Sequence, residues 1–424
     1  MTIKLIREDA LVIKITDAIN SAKVDYNKYV SLSKDVLIKD EDELQPSSED
    51  KLYRYVGNMG LRGFVQSEIN ERLLKVYPFD SAQKAKPLRD LNEFANPVAV
   101  AREIVARLKG LPERYRLTIP LSPQFSAPLL PNVASVRLGE HAAVCKAEKL
   151  PELSMKSENS FVDEALFSDP FSNSLNTDRT LSSELLYFTS VELGYIPTGR
   201  SSIVAEHFLD KNRALYGAMT AMGVTSERFK SVQGKKQFAL AHMHSGSADI
   251  LSTVETPDDL WDRRWYQDTE AFVNAAGDKP SAIKSAFERV SLILSDDDFA
   301  QRAMTACIWY YRALNSSNSL DRILHATIAI EVLVGDKETA DSVGLTKLLG
   351  NRCAYLLGRT RLSRQKIVDE FVEIYRVRSA IVHGGKHKME KKDRHAASAS
   401  LKLCASVIAK ELELHQAQDL NSAV

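Results

Sequence analysis

The sequence predicts an α+β N-terminal region followed by an all-α helical bundle at the C-terminus. Short β-branched or alternating segments, separated by Pro, Gly and Ser, are confined to the middle of the chain. From about residue 281 onward, amphipathic segments of helical length follow one another with only short breakers, which favours an antiparallel bundle. We therefore divide the chain into a mostly helical region (1–110), an α+β region (111–280) and a helical bundle (281–424).

The composition sets limits on the class of protein. The chain has 424 residues, 44% of them hydrophobic, which is enough to form the cores of two or three domains. The 56 Lys and Arg residues balance the 56 Asp and Glu residues. This neutrality argues against a protein that coats nucleic acid with its whole surface, but it allows a local basic patch. The four cysteines lie far apart without a C-x-x-C motif, as expected of reduced, packed thiols in a cytosolic protein.

The same inspection gives expectations about location and cofactors. The N-terminus lacks the apolar run of a signal peptide, and no uncharged apolar run approaches the roughly 20 residues of a membrane span. We therefore expect a cytoplasmic protein with no membrane partner. Neither G-x-x-x-x-G-K-[ST] nor G-x-G-x-x-G occurs, so ATP- or NAD-dependent chemistry lacks its usual signature, and no cofactor is expected.

The first two regions contain both helix and strand signals. Residues 1–110 include a helical stripe around Val12 and a helix over Pro97–Leu108, which a proline begins and Gly110 follows, whereas the polar stretch Lys39–Lys51 is predicted as a loop. In the middle region we predict a helix over Ser202–Met222 and a long loop over residues 156–183. The predicted strands are Tyr115–Leu121, Val133–Leu138, Ala142–Ala147, Leu185–Leu193 and Gln237–His244.

The last region consists of consecutive helices, with a domain boundary predicted near residues 275–300. The predicted helices are Ala282–Leu294, Phe299–Leu314, Leu320–Val334, Leu345–Leu357, Ser363–His383 and Arg394–His415. The most informative segment is the end of the fifth helix, Glu373–Gly385 (EIYRVRSAIVHGG).

Arg378 in this segment lies on the apolar stripe of its helix rather than on the solvated face. Ile367, Phe371, Ile374, Tyr375 and Val382 share that stripe. A guanidinium there needs a carboxylate, a phosphate or a subunit interface. His383 follows five residues later, which is about 140° of helical rotation, so one straight helix would not aim both groups at a single point. Either the helix end unwinds, or a second copy of the chain completes the site.

These residues resemble a known family. Arg378-Ser379-x-x-x-His383 is similar to the R-x4-6-H motif of HEPN domains. Two earlier segments, Ile328–Gly335 (IAIEVLVG) and Asn351–Gly358 (NRCAYLLG), resemble elements of the Apea-like branch of that superfamily. The order and spacing agree from about residue 297 to 415.

The resemblance implies a fold, an activity and partners. HEPN domains are helical bundles that usually dimerise and bring two such motifs into one cleft, and many are metal-independent ribonucleases of toxin, abortive-infection and other antiviral defence systems. It implies that His383 is the acid/base, that Arg378 stabilises the phosphate, and that Ser379 positions one of them. This chemistry suits the residue types, because imidazole exchanges protons near neutral pH and guanidinium binds phosphate. The expected partners are RNA, a second copy of the chain, and an unknown trigger or protein at the N-terminal region, which would act as a sensor or regulator.

A basic cluster follows the motif and is predicted to hold the RNA backbone, although a solvated loop with ordinary surface lysines explains it equally well. The cluster comprises Lys386, Lys388, Lys391, Lys392 and Arg394.

Structural interpretations remain open beside the catalytic one. Arg378 could form a buried ion pair with Glu331, with His383 as a simple helix cap, in a non-catalytic HEPN module that dimerises or binds RNA or protein. Glu331 could pair with either Arg378 or Arg352, and we assign all of Glu331, Arg352 and Tyr375 a supporting role.

Two further features of the middle region leave alternatives open. His242 and His244 end a predicted strand, and a metal-dependent hydrolase at this pair is a third, weaker interpretation that lacks a third ligand, so no metal site is assigned. Trp265 and Tyr266 are part of either a base-stacking surface or an amphipathic core helix.

Overall fold

The computed structural model describes most of the chain and shows an α+β N-terminal part followed by an all-α C-terminal part, as predicted. The described residues are 3–24, 30, 38–76, 86–150, 182–197, 202–229, 238–243, 250–255, 265–335, 344–385, 387–388 and 390–422. Nearly all of the predicted loop over 156–183 lies outside these ranges, as do His244 and Lys386.

The N-terminal part is a set of helices with one small sheet. The helices are α1 (Glu8–Ser21), α2 (Asp40–Glu43), α3 (Pro46–Val56), α4 (Gly60–Val76) and α5 (Pro97–Lys109), and the two-stranded sheet joins β1 (Lys23–Val24) to β2 (Lys86–Pro87). Helix α5 begins where predicted, because Asn96 accepts a hydrogen bond from the backbone N–H of Ala99 at 3.2 Å and Pro97 occupies the first turn.

The predicted loop over Lys39–Lys51 is wrong for most of its length. Pro46 begins α3 instead of breaking a helix, since a proline in the first turn forfeits no intrahelical hydrogen bond. The acidic Glu43 of α2 is buried and pairs with Lys14, so the polarity of this stretch did not mean exposure.

The middle of the chain forms a six-stranded antiparallel sheet. Its spatial order is β4-β5-β6-β3-β8-β9, and the central β3 pairs with β6 and β8. A second, two-stranded sheet joins β7 to β10. The strands are β3 (Glu113–Pro120), β4 (Ser135–Leu138), β5 (Ala142–Lys146), β6 (Leu186–Gly194), β7 (Ser226–Phe229), β8 (Phe238–Met243), β9 (Ile250–Glu255) and β10 (Trp265–Asp268). Each predicted strand is present, whereas β7, β9 and β10 were missed. Trp265 and Tyr266 therefore lie in a strand and not in an amphipathic helix.

Helices fill the rest of the described chain, and those of the predicted bundle match their predicted ranges within a few residues, except that α14 runs further toward the C-terminus. They are α6 (Pro123–Leu129), α7 (Ile203–Ala221), α8 (Glu270–Ala275), α9 (Lys279–Leu292), α10 (Asp298–Asn315), α11 (Ser319–Val334), α12 (Leu345–Leu357), α13 (Arg361–Val382) and α14 (Arg394–Ser422). Side-chain caps by Asp278, Asp297 and Asn318 fix the starts of α9, α10 and α11. None of the described helices combines the length and hydropathy that crossing a membrane requires.

One hydrophobic core runs from the six-stranded sheet through α7 into the bundle, and a second core unites the N-terminal helices. Helix α7 approaches α10 closely: a Cβ added at Gly217 would lie 2.2 Å from the carbonyl oxygen of Cys307. The boundary predicted near 275–300 therefore does not coincide with a break between cores in the described residues. Tyr195, directly after β6, belongs to the N-terminal core.

Candidate functional site

Helix α13 positions the predicted motif. A capping box at Thr360 and Ser363 begins the helix, since each side chain accepts a hydrogen bond from the other residue's backbone N–H. Phe371, Ile374 and Val377 anchor it in the core. Val382, which the spacing assigned to the same stripe, is 46% exposed, whereas the neighbouring Ile381 packs against the core.

Arg378 faces α11 and pairs with Glu331. Its Nη2 donates a hydrogen bond to Glu331 Oε2 at 3.3 Å and lies 3.2 Å from Oε1. Both side chains are partly buried, at 17% exposed for Arg378 and 21% for Glu331. The guanidinium also lies over the ring of Tyr375, 5.2 Å from the ring centroid. Of the two arginines that Glu331 could have paired with, the structure thus selects Arg378.

The pairing leaves polar atoms unused. Arg378 Nε and Glu331 Oε1 are both buried, and neither has a hydrogen-bond partner within the ranges that the structure describes. An arginine and a carboxylate commonly form two parallel hydrogen bonds, so this pair is short of its best geometry.

Tyr375 completes this side of the helix as a proton donor. Burial, followed by the negative charge of Glu331, raises the pKa of Tyr375 to about 12. The hydroxyl is therefore protonated at neutral pH, beside the Glu331 carboxylate and the Arg378 guanidinium.

His383 lies at the C-terminal end of α13 and is exposed. Its backbone N–H donates to the Ser379 carbonyl at 2.9 Å, and its imidazole makes no hydrogen bond to a described residue. The next turn of chain uses Gly385 at φ +61°, a left-handed conformation that glycine adopts without strain. Arg378 thus packs against α11, whereas the His383 side chain is exposed at the end of the same helix.

Ser379 and Arg352 have backbone and packing contacts rather than contacts to the imidazole. The Ser379 carbonyl holds the His383 N–H, but no hydrogen bond joins its hydroxyl to a described residue. Arg352 Nη1 donates to the Val334 carbonyl at 2.7 Å and so caps the C-terminus of α11 on α12. Val334 lies about one helix turn beyond Glu331.

The segment after His383 runs back along the exposed face of α13. Asp393 is fully buried and pairs with Arg376 Nη2 at 3.4 Å. Arg376 precedes His383 by seven residues, which is about 10 Å along the helix. Lys388, Lys391 and Arg394 are exposed in this returning segment, whereas nothing is described for Lys386 or for the Lys392 side chain. The acidic Asp393 inside the basic cluster is thus already paired with an arginine of α13.

The alternative metal site gains no support from the described part of the molecule. His242 lies in β8, in register with Arg116 of β3 and next to Ile250 of β9. No group of three or more His, Cys, Asp or Glu residues with a metal-binding arrangement occurs in the described ranges. The four cysteines are buried and free.

A polar cluster far from the motif was missed by the sequence reasoning. We call it the Arg107 cluster: Arg107 Nη1 bonds Glu68 at 2.8 Å and Glu71 at 3.0 Å, its Nε bonds Glu113 at 3.0 Å, and Tyr195 donates to Glu68 at 2.7 Å. The available signal was that Phe64, Glu68 and Glu71 share one face of α4. Carboxylates on an apolar stripe require a cation, by the same argument that was applied to Arg378.

The Arg107 cluster joins the N-terminal helices to the sheet. Glu68 and Glu71 belong to α4 and Arg107 to α5, whereas Glu113 begins β3 and Tyr195 follows β6. Burial raises the pKa of Glu68 above its ordinary value, with Arg107 opposing the shift and Glu71 adding to it. Three carboxylates thus share one guanidinium at a buried junction.

Comparison of the chain with protein-family models, with curated proteins and with solved structures finds no match. The likeness to HEPN domains consequently rests on the motif residues themselves.

Proposed function

We propose that the protein is a metal-independent endoribonuclease of the HEPN type. The observation that carries the proposal is the placement of His383: an exposed imidazole at the end of α13, followed in the chain by the exposed Lys388, Lys391 and Arg394 of the returning segment. In cleavage of an anionic polymer, an acid/base group transfers the protons and a basic cluster binds the phosphates.

The proposed reaction uses the RNA's own 2′-hydroxyl. Its proton passes to a base as the oxygen attacks phosphorus, and the P–O5′ bond breaks while the leaving oxygen takes up a proton. The products are a 2′,3′-cyclic phosphate and a 5′-hydroxyl. His383 supplies the proton transfer, Arg378 stabilises the additional negative charge on the phosphorane, and Ser379 aids their alignment.

The site is complete only as a homodimer in this proposal, because Arg378 packs against α11 whereas His383 is exposed at the end of α13. Two chains that meet at their α13 ends would combine the residues of both copies. The exposed Val382, 46% exposed at the end of the same helix, gives such a contact an apolar component.

The proposed setting is the cytoplasm of a bacterium, in anti-phage or abortive-infection defence or another stress response. There the N-terminal region would respond to a trigger or to a partner protein and release the toxin-like nuclease. The separate N-terminal core supports a distinct role for that region.

The test is cleavage of RNA by the purified chain in EDTA, with identification of the new ends. We expect cyclic phosphate ends for the wild type and no cutting by His383→Ala or Arg378→Ala. His387→Ala is the matched control, since His387 is another exposed histidine of the same segment and should leave cutting intact. If wild type and His383→Ala cut RNA to the same extent, the catalytic assignment of His383 is contradicted.

A second candidate is a non-catalytic HEPN module that dimerises or binds RNA or protein. The Arg378–Glu331 ion pair favours it, because an arginine that holds a carboxylate is not free for phosphate. This candidate predicts RNA binding and dimerisation without cleavage, and identical RNA end groups before and after incubation.

A further inference from the structure

The contact between Arg378 and Glu331 is unusual for an ion pair with a purely architectural role. One nitrogen, Nη2, reaches both carboxylate oxygens, while the neighbouring Nε is buried without a partner. A guanidinium normally satisfies the Nε–Nη2 edge with two oxygens of one anion. Here that edge is half filled.

We propose that Glu331 is a gate: it occupies Arg378 as an internal substitute for an RNA phosphate and keeps the site at rest until a phosphodiester displaces it. This inference rests on the proposed ribonuclease function and adds its regulation. Carboxylate and phosphate present similar oxygen pairs to an arginine fork, so the two anions compete for the same Nη2.

The surroundings fit an exchange of anions. Arg378 and Glu331 are each partly exposed, at 17% and 21%, so the pair lies at the margin of the core and not in its centre. The Tyr375 ring supports the guanidinium face and belongs to the same helix as Arg378, so the arginine stays oriented when the carboxylate leaves. Glu331 is carried by α11, a different element, so the contact breaks by a small displacement between α11 and α13.

The alternative is that Glu331 is only the counter-ion that Arg378 needs in a half-buried position. The two roles predict different results for a variant that lacks the Glu331 charge. If Glu331 is only a counter-ion, the variant has an uncompensated cation and a less stable fold, and its affinity for RNA does not rise. If Glu331 is a gate, Arg378 becomes free to bind a phosphate and the affinity for RNA rises.

The experiment measures binding of a 2′-O-methyl oligoribonucleotide, which the proposed reaction cannot cleave, by fluorescence anisotropy with the full chain. Glu331→Gln keeps the shape of the side chain and removes its charge. We expect it to bind at least fivefold tighter than the wild type and to cut ordinary RNA faster. The double variant Glu331→Gln/Arg378→Gln should lose the gain in binding.

Glu373→Gln is the matched control. It removes a carboxylate from the exposed face of α13, where Glu373 pairs with Arg376, and leaves Arg378 in place. We expect a change below twofold. If Glu373→Gln and Glu331→Gln tighten binding equally, general charge explains the gain and the gate is refuted. Should Glu331→Gln not fold, Glu331→Asp keeps the charge but shortens its reach, and it is expected to tighten binding in the same direction.

The outcomes separate the gate from the nuclease. If Glu331→Gln tightens binding through Arg378 while every variant fails to cut RNA, the gate holds as an anion gate and the ribonuclease proposal fails. If the wild type cuts RNA and the folded Glu331→Gln binds no tighter, the gate fails and the ribonuclease stands.

Discussion

Tyr195 offers the sharpest test of how the N-terminal helices are held to the rest of the molecule. Tyr195 directly follows a strand of the sheet, but its side chain is fully buried in the N-terminal core. The centroid of its ring lies 4.8 Å from that of Phe64. Its hydroxyl donates a hydrogen bond to the buried Glu68 carboxylate at 2.7 Å. Tyr195→Phe therefore removes one donor from a charged acceptor and leaves the ring packing intact.

The expected magnitude follows from the charge of the acceptor. Hydrogen bonds to charged groups contribute about 1.5–3 kcal/mol, against about 0.5–1.5 kcal/mol for neutral ones. Tyr187 is the matched control: it lies in β6, the strand that Tyr195 directly follows, it is 3% exposed, and its hydroxyl accepts a hydrogen bond from the backbone N–H of Ser182 at 2.7 Å. We expect Tyr195→Phe to cost about 2 kcal/mol and Tyr187→Phe about 1 kcal/mol.

Urea unfolding followed by fluorescence and by circular dichroism measures both variants. With a denaturant slope of about 2 kcal/mol per molar, the Tyr195→Phe midpoint should fall by about 1 M for the transition that includes the N-terminal helices. A midpoint for Tyr195→Phe that equals the wild type, or that falls no further than Tyr187→Phe, would refute the assignment of Glu68 as a buried charged acceptor.

Two other predictions concern charge. Burial raises the pKa of Glu68, so the folded state holds a proton on this carboxyl group more tightly than the unfolded chain does. The contribution of Glu68 to the free energy of unfolding is therefore greatest at low pH, and it is lost as the pH rises above 4.5, the ordinary pKa of the group. The unfolding free energy of wild type minus that of Glu68→Gln should therefore fall between pH 4.5 and 7.5, and a flat difference contradicts the burial argument. Replacing Lys388 and Lys391 with Ala should lower the slope of log affinity against log salt for single-stranded RNA by about 1.4, since each phosphate contact contributes about 0.7. Lys284→Ala, an exposed lysine of α9, should leave the slope unchanged, and an equal loss there would mean that the basic cluster is not the contact surface.

Much of the local structure is predictable because it is decided by neighbours in the sequence. Asn96 and Pro97 start α5, and Thr360 starts α13, through capping contacts that span three residues or fewer. The strands β3 and β6 follow from β-branched alternation. By contrast, α6 was missed because it is short and contains Pro128, and its formation depends on burying Phe125 against Tyr216 of α7.

The candidate site was predictable in its parts but not in its pairing. The spacing placed Arg378 on a buried face, and it left two possible partners for Glu331, namely Arg378 and Arg352. Only the packing of α11 on α13 decided that Glu331 pairs with Arg378. The Arg107 cluster was predictable only in part. Glu68 and Glu71 share an apolar face of α4, but the groups that join them, Arg107, Glu113 and Tyr195, come from α5, from β3 and from the residue after β6. The HEPN-type activity itself stays a prediction.

The core that the sheet and the bundle share has a consequence for how this protein can be divided or recombined. A fragment that begins at residue 281 would lack α7, and the surface of α10 against which Gly217 fits would be left open to water. The bundle is therefore not a unit that can be transferred to another protein by cutting the chain at residue 281. A transferable unit would have to carry the sheet and α7 with it. A unit that starts near residue 111 would in turn leave Glu113 and Tyr195 without the N-terminal helices that they contact.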